Sequence, residues 1–136
     1  MAIDVELARA AAFRTALRRF LNRTDAVTSD AGLTPQRYDL LLMIRSMGGE
    51  GGMRVTDLCE LLQLQQTAVT ALVKRSEDAG LIERRPSSED GRVSLLRLTR
   101  EGERRLLRAF DALREDRAAV AAVFREVDVR FRAASR

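Results

Sequence analysis

Apolar residues recur at helical spacing from Ile3 to Val27, through Leu7, Ala10, Phe13, Leu17, Phe20 and Leu21, while Arg9, Arg14, Arg18 and Arg19 fall mostly between them. One apolar and one charged face define an amphipathic helix, and Thr28-Ser29-Asp30-Ala31-Gly32 ends it. A second helix starts at Thr34-Pro35, where threonine can cap free N–H groups and proline suits the first helical position. Tyr38, Leu40, Leu41, Leu42, Met43 and Ile44 make it apolar on most sides, and Gly48-Gly49-Glu50-Gly51-Gly52 stops it. A short helix follows from Val55 to Leu62, with Thr56 or Asp57 near its start, then a turn at Gln63-Leu64. The next helix runs from Gln65 to Ala79 with Val69, Leu72 and Val73 inward, and Gly80 stands where a left-handed cap is usual.

The period then changes. Leu81 to Arg85 reads as a strand, Pro86 to Gly91 as a turn, and Arg92 to Leu98 as the returning strand. Thr99 caps a last helical region with Glu101 and Glu103 in its first turn. From Leu106 the pattern steps through Phe110, Leu113, Arg117, Val120, Phe124, Val127 and Phe131 with no glycine or proline after Gly102. A spacing near 3.5 marks helix-on-helix packing, either within the domain or against a second copy. The expected fold class is mainly α with a small two-stranded β wing. It is a winged helix-turn-helix over 33–99, flanked by N- and C-terminal dimerisation helices over 1–30 and 100–136, in a single domain 1–136.

Composition trims the functional classes. The 136 residues carry 24 Lys and Arg against 20 Asp and Glu, a net charge of +4, which alone does not demand a polyanionic partner. All the basic residues but Lys74 are arginines. Arginine suits bidentate contacts to phosphate and guanine, and genome base composition explains the bias equally well. Cys59 is the lone cysteine and histidine is absent, so a Cys/His zinc cluster and a histidine-based hydrolase are excluded. Cys59 is expected to be a buried, inert thiol. The acids show no pairing motif, so the protein is expected not to be an enzyme and to need no cofactor. The glycine-rich stretch lacks the Gly-Lys-Ser/Thr of a phosphate-binding loop. The start, Met1-Ala-Ile-Asp-Val-Glu-Leu, does not read as a secretory signal, and no run is apolar enough to span a membrane. A cytoplasmic protein with no membrane partner is expected.

The order of helix, tight turn, helix and charged ribbon carries the functional reading, with double-stranded DNA as the partner. A helix fits the major groove of DNA and its polar face reads base edges, while a basic ribbon can enter the minor groove. With Val69, Leu72 and Val73 inward, the opposite face shows Gln66, Thr67, Thr70, Ala71 and Lys74, flanked by Gln65 and Arg75. Gln can pair with adenine, and Thr or Ala can meet a thymine methyl. A plain solvated face is the alternative. The ribbon carries Arg84, Arg85, Arg92 and Arg97 around Ser87-Ser88-Glu89-Asp90-Gly91, and an Asp90–Arg92 ion pair is expected to fix its tip. Gln65, Gln66, Thr67, Thr70, Ala71, Lys74, Arg75, Arg84, Arg85, Ser87, Ser88, Asp90 and Arg92 are the expected DNA contacts.

Residues 55–99 resemble the multiple-antibiotic-resistance regulator (MarR) family. The resemblance is carried by Leu58-Cys59-Glu60-Leu61-Leu62, Thr67-Ala68-Val69-Thr70-Ala71-Leu72-Val73 and Gly80-Leu81-Ile82-Glu83-Arg84. It continues through Asp90-Gly91-Arg92 and Leu98-Thr99-Arg100-Glu101-Gly102, and Leu33 to Leu41 resembles the family's second helix. The resemblance implies a homodimer held by its terminal helices, a palindromic operator, and repression relieved by a small aromatic or phenolic effector. Four features depart from the family. Gln63 stands where glycine is common, Ser76 replaces an inward leucine, and Glu89 puts an acid at the wing tip. The C-terminal part is short and is expected to lack the break into two helices. Ser76 and Glu89 keep open a winged-helix module that contacts protein and no longer reads DNA.

Overall fold

The computed structural model describes the backbone of residues 1–134 and the side chains of residues 1–126. The chain runs α1 (Ala2–Asp30), α2 (Pro35–Met47), α3 (Val55–Leu62), α4 (Gln66–Asp78), β1 (Ile82–Pro86), β2 (Ser94–Leu98), α5 (Arg100–Ala112) and α6 (Arg114–Ala134). Residues 28–109 form one compact unit, and residues 1–27 with 110–136 form another.

In the 28–109 unit, Thr34 caps α2 by accepting from the Arg37 amide at 3.2 Å, as the Thr-Pro pair predicts. α2 packs against α3, α4 and β2, and α4 against β1. These contacts bury Leu40, Leu41, Ile44, Leu58, Val69, Leu72, Val73, Ile82 and Leu96 almost completely. The two strands pair antiparallel, with Ile82 opposite Leu98, Arg84 opposite Leu96 and Pro86 opposite Ser94. Met53 adds an isolated bridge to β2 by exchanging both backbone hydrogen bonds with Leu96, at 3.0 and 2.7 Å. The turn is therefore longer than the sequence suggests, because Arg92 and Val93 lie outside the ladder.

The start of α5 is pinned to the base of the ribbon. Thr99 donates its hydroxyl to the Gly80 carbonyl at 2.6 Å, accepts from the Gly102 amide at 3.1 Å, and its amide reaches the Leu81 carbonyl at 3.0 Å. Gly102 lies so close to that carbonyl that an added Cβ would sit 2.0 Å from its oxygen. Glu101 accepts from Arg104 and from Arg105, and Arg105 reaches on to the Gly32 carbonyl at 2.9 Å. The hydrogen bonds from Arg104 and then Arg105 hold the Glu101 carboxyl down to a pKa of about 2. The same contact raises Arg104.

The other unit contains an edge-on stack of Phe13 and Phe124, with ring centroids 4.9 Å apart. Arg117, the arginine in register with an apolar series, lies over the Phe110 ring at 3.6 Å and also donates to the Phe110 carbonyl. The expectation of an unbroken C-terminal helix is corrected. Leu113 separates α5 from α6, its amide reaching only three residues back to Phe110 at 3.3 Å. No glycine or proline announces this break; a single tightened turn makes it. The side chains of Val127 and Phe131 lie outside the described residues. No helix among the described residues is long and apolar enough to cross a membrane.

Candidate nucleic-acid interface

α3 starts after Arg54 without a side-chain cap, and Thr56 and Asp57 lie in its first turn. It ends at Gln63, which takes the left-handed conformation (φ 55, ψ 44) usually left to glycine. The Gln63 side chain donates to the Glu60 carbonyl at 2.6 Å, a local bond that helps hold the turn. The expected helix-turn-helix corner is thus made without the glycine. Cys59, on α3, is half-buried, and its thiol donates to the Val55 carbonyl at 3.4 Å.

α4 buries Val69, Leu72, Val73 and Ser76. Gln65, Gln66, Thr67, Thr70, Ala71, Lys74 and Arg75 are all exposed. The six from Gln66 to Arg75 line one shallow concavity on the helix surface. Lys74 lies 3.5 Å from Asp78 in a loose, exposed pair. Ser76 does not leave a buried hydroxyl stranded, because it donates to the Leu72 carbonyl at 2.8 Å.

The wing divides its expected contacts into two groups. Ser87 is part of the tip's framework: its hydroxyl oxygen accepts from the amides of Glu89 and Asp90, at 3.2 and 3.4 Å. Asp90 accepts from the backbone amide of Arg92 at 3.0 Å, not from its guanidinium, so the expected ion pair is replaced by a backbone turn. Ser88 and Arg92 are exposed, and Arg92 has no ion-pair partner among the described residues. Arg85 pairs with Glu83 at 2.9 Å on the same strand face. Arg84 is held by Glu77 of α4, Nε to Oε1, at 2.7 Å. Sequence reasoning placed Glu77 merely at the far end of the helix. The only available signal was its seven-residue spacing from Arg84 across the Gly80 turn. Among the described residues no cluster of potential metal ligands occurs.

A short helix, a left-handed corner, a second helix with an exposed polar face and a two-stranded ribbon make this a winged helix-turn-helix protein. Residues 31–93 match the family model described as the MarR family. The HTH-type transcriptional repressor MdtR of Bacillus subtilis (strain 168) is 33% identical over 72 residues. Those residues are 53% of this chain and 44% of the repressor, so the match spans less than half of that relative. The crystal structure of a MarR family transcription regulator is 25% identical, with a TM-score of 0.70 over 98% of this chain and 85% of its own. The structure of a Staphylococcus aureus MepR–DNA complex gives a TM-score of 0.71 over 93% and 97% of the two chains, at 16% identity, which speaks for the fold alone. The first two of these relatives are described as transcriptional regulators, and the third is bound to DNA.

Proposed function

We propose that the protein is a sequence-specific DNA-binding transcriptional repressor of the MarR type that works as a cytoplasmic homodimer on a palindromic operator. The observation that carries the reading is the exposed face of α4 from Gln65 to Arg75, which offers amides, hydroxyls, a methyl and two cations and no acid. Those groups suit base edges and phosphates. The repressor assignment leans on the curated relative. The dimer leans on Ile3, Leu7, Leu21 and Phe124, which are large, apolar and exposed in the 1–27 and 110–136 unit. Relief of repression by a small aromatic or phenolic effector leans on the family resemblance.

The test is selection of bound sequences from a random duplex pool, followed by titration of the recovered duplex at several salt concentrations. The reading requires a twofold-symmetric sequence, two subunits per site and affinity that falls steeply with salt. A folded protein that enriches no sequence and shows no salt-dependent affinity is instead a winged-helix module for protein contacts.

A further inference from the structure

We propose that the Glu77–Arg84 pair is a brace that sets the angle of the wing against the reading helix, making Glu77 a positioning residue for DNA binding and removing Arg84 from the DNA-contacting set. The inference rests on the DNA-binding reading above. α4 ends at Asp78 and β1 begins at Ile82, so three residues join them, with Gly80 at φ 75. Backbone bonds fix the root of this joint: the Gly80 amide reaches the Glu77 carbonyl at 2.9 Å and the Leu81 amide reaches the Ser76 carbonyl at 3.0 Å. Beyond the root comes β1, which packs against α4. The Glu77 carboxylate, 2.7 Å from Nε of Arg84, ties it back to the helix.

Register places Arg84 for this task. It stands opposite Leu96, which is fully buried, so its stem shares the ribbon face that packs inward. Arg85 stands opposite Leu95 on the other face. Glu77 follows Thr70 by seven residues, almost on the same stripe of α4 and two turns nearer its C-terminus. Arg84 therefore touches the reading helix itself, at the end away from the residues that would meet bases. A phosphate arriving at Arg84 would find Nε already in charge-assisted contact with a carboxylate, leaving only the Nη groups to meet it.

The two possible roles of Arg84 differ in sign. If Arg84 bound phosphate, Glu77 would compete with DNA, and Glu77→Gln would tighten binding. If the pair is a brace, Glu77→Gln loosens the wing and weakens binding. The experiment compares the unaltered protein, Glu77→Gln, Arg84→Gln, the double variant and the charge swap Glu77→Arg with Arg84→Glu. Each is titrated with the selected duplex over a range of salt, and amide hydrogen exchange is followed in the absence of DNA. The brace predicts that both single variants weaken binding roughly three- to tenfold, with the double variant no worse than either. It also predicts an unchanged salt slope and partial rescue by the swap. Amides of β1 and β2 should exchange faster in both single variants, while those of α2 stay protected.

Tighter binding by Glu77→Gln, or a salt slope reduced by about 0.9 in Arg84→Gln alone, assigns Arg84 to a phosphate and overturns the brace. Unchanged exchange in the wing overturns it whether or not DNA binds. Failure of the unaltered protein to bind any duplex sinks the DNA-binding reading instead.

Discussion

Ser76 sits fully buried in α4 and shares its hydroxyl only with the Leu72 carbonyl one turn back. That carbonyl is in the helix interior and has a backbone partner as well. Ser76→Ala should therefore change stability by less than about 0.5 kcal/mol, whereas Ser76→Leu, the family-like residue, forces three more carbons into a filled site and should cost about 1–3 kcal/mol. Urea denaturation reads both. If leucine stabilised the protein, the packing around Ser76 would be looser than the structure has it. The wing invites a similar separation of roles. Ser87 and Asp90 spend their oxygens on tip amides, while Arg92 is exposed and has no ion-pair partner among the described residues. Arg92→Ala should weaken duplex binding several-fold without altering wing exchange, and unchanged affinity would remove the tip from the interface. The sequence pointed to all three residues because they lie in one short turn. Which of them build the turn and which face outward depends on where each oxygen finds an amide, and spacing does not encode that.

At the scale of elements, the helices and the ribbon were legible because each buries one face, and burial imposes a period on the sequence. The inward trio of α4 was readable for the same reason, and Thr34 and Gly80 were readable from the capping chemistry of helix ends. Two joints were not. The α5–α6 break at Leu113 has no breaker residue, and the corner at Gln63 uses a residue that tolerates the left-handed region at some energetic cost. Glu77 was missed as the wing's partner because its bond joins a helix to a strand, and neither period predicts that. The network at the start of α5 has a pH signature. Glu101 titrates near 2 in the fold, below an ordinary glutamate at 4.5, so its contribution is present at neutral pH. It is lost as the pH falls from about 4.5 toward 2, where the folded carboxylate takes up its proton. Glu101→Gln should lower the melting temperature at pH 7, and the gap to the unaltered protein should close across that acid window. A gap that stayed constant down to pH 2 would mean that the arginines do not sense the charge.

For the whole molecule the question is what covers the apolar residues of the terminal unit. Phe124 is 46% exposed although its ring stacks on Phe13, and Leu7 and Leu21 are 61% and 53% exposed. Single exposed apolar residues are ordinary, and these several in one unit are what the proposed dimer would cover. Phe124→Arg should raise the dimer dissociation constant at least tenfold in sedimentation velocity, and should weaken operator binding in proportion, since a half-site alone binds poorly. An unaltered protein that sediments as a monomer would remove this face from the interface. Lys74→Ala, in contrast, should leave the dimer intact and weaken binding to all duplexes alike. A change in which sequence is selected would move Lys74 from a phosphate to a base edge.

Position 102 has a different kind of importance. Its backbone is ordinary helix, so the demand for glycine is wholly one of space: the Leu81 carbonyl fills the volume a methyl would need. Replacing Gly102 by alanine should cost about 2–4 kcal/mol, because the root of the wing and the start of α5 must part to admit it. A library covering every residue type here should return an alphabet of one letter, whereas Gly51 and Gly91, with open space around their α-carbons and no positive φ, should accept more. For anyone redesigning the wing, freedom is greatest at the tip, narrows at buried Ile82 and Leu96, and ends where the root meets that glycine.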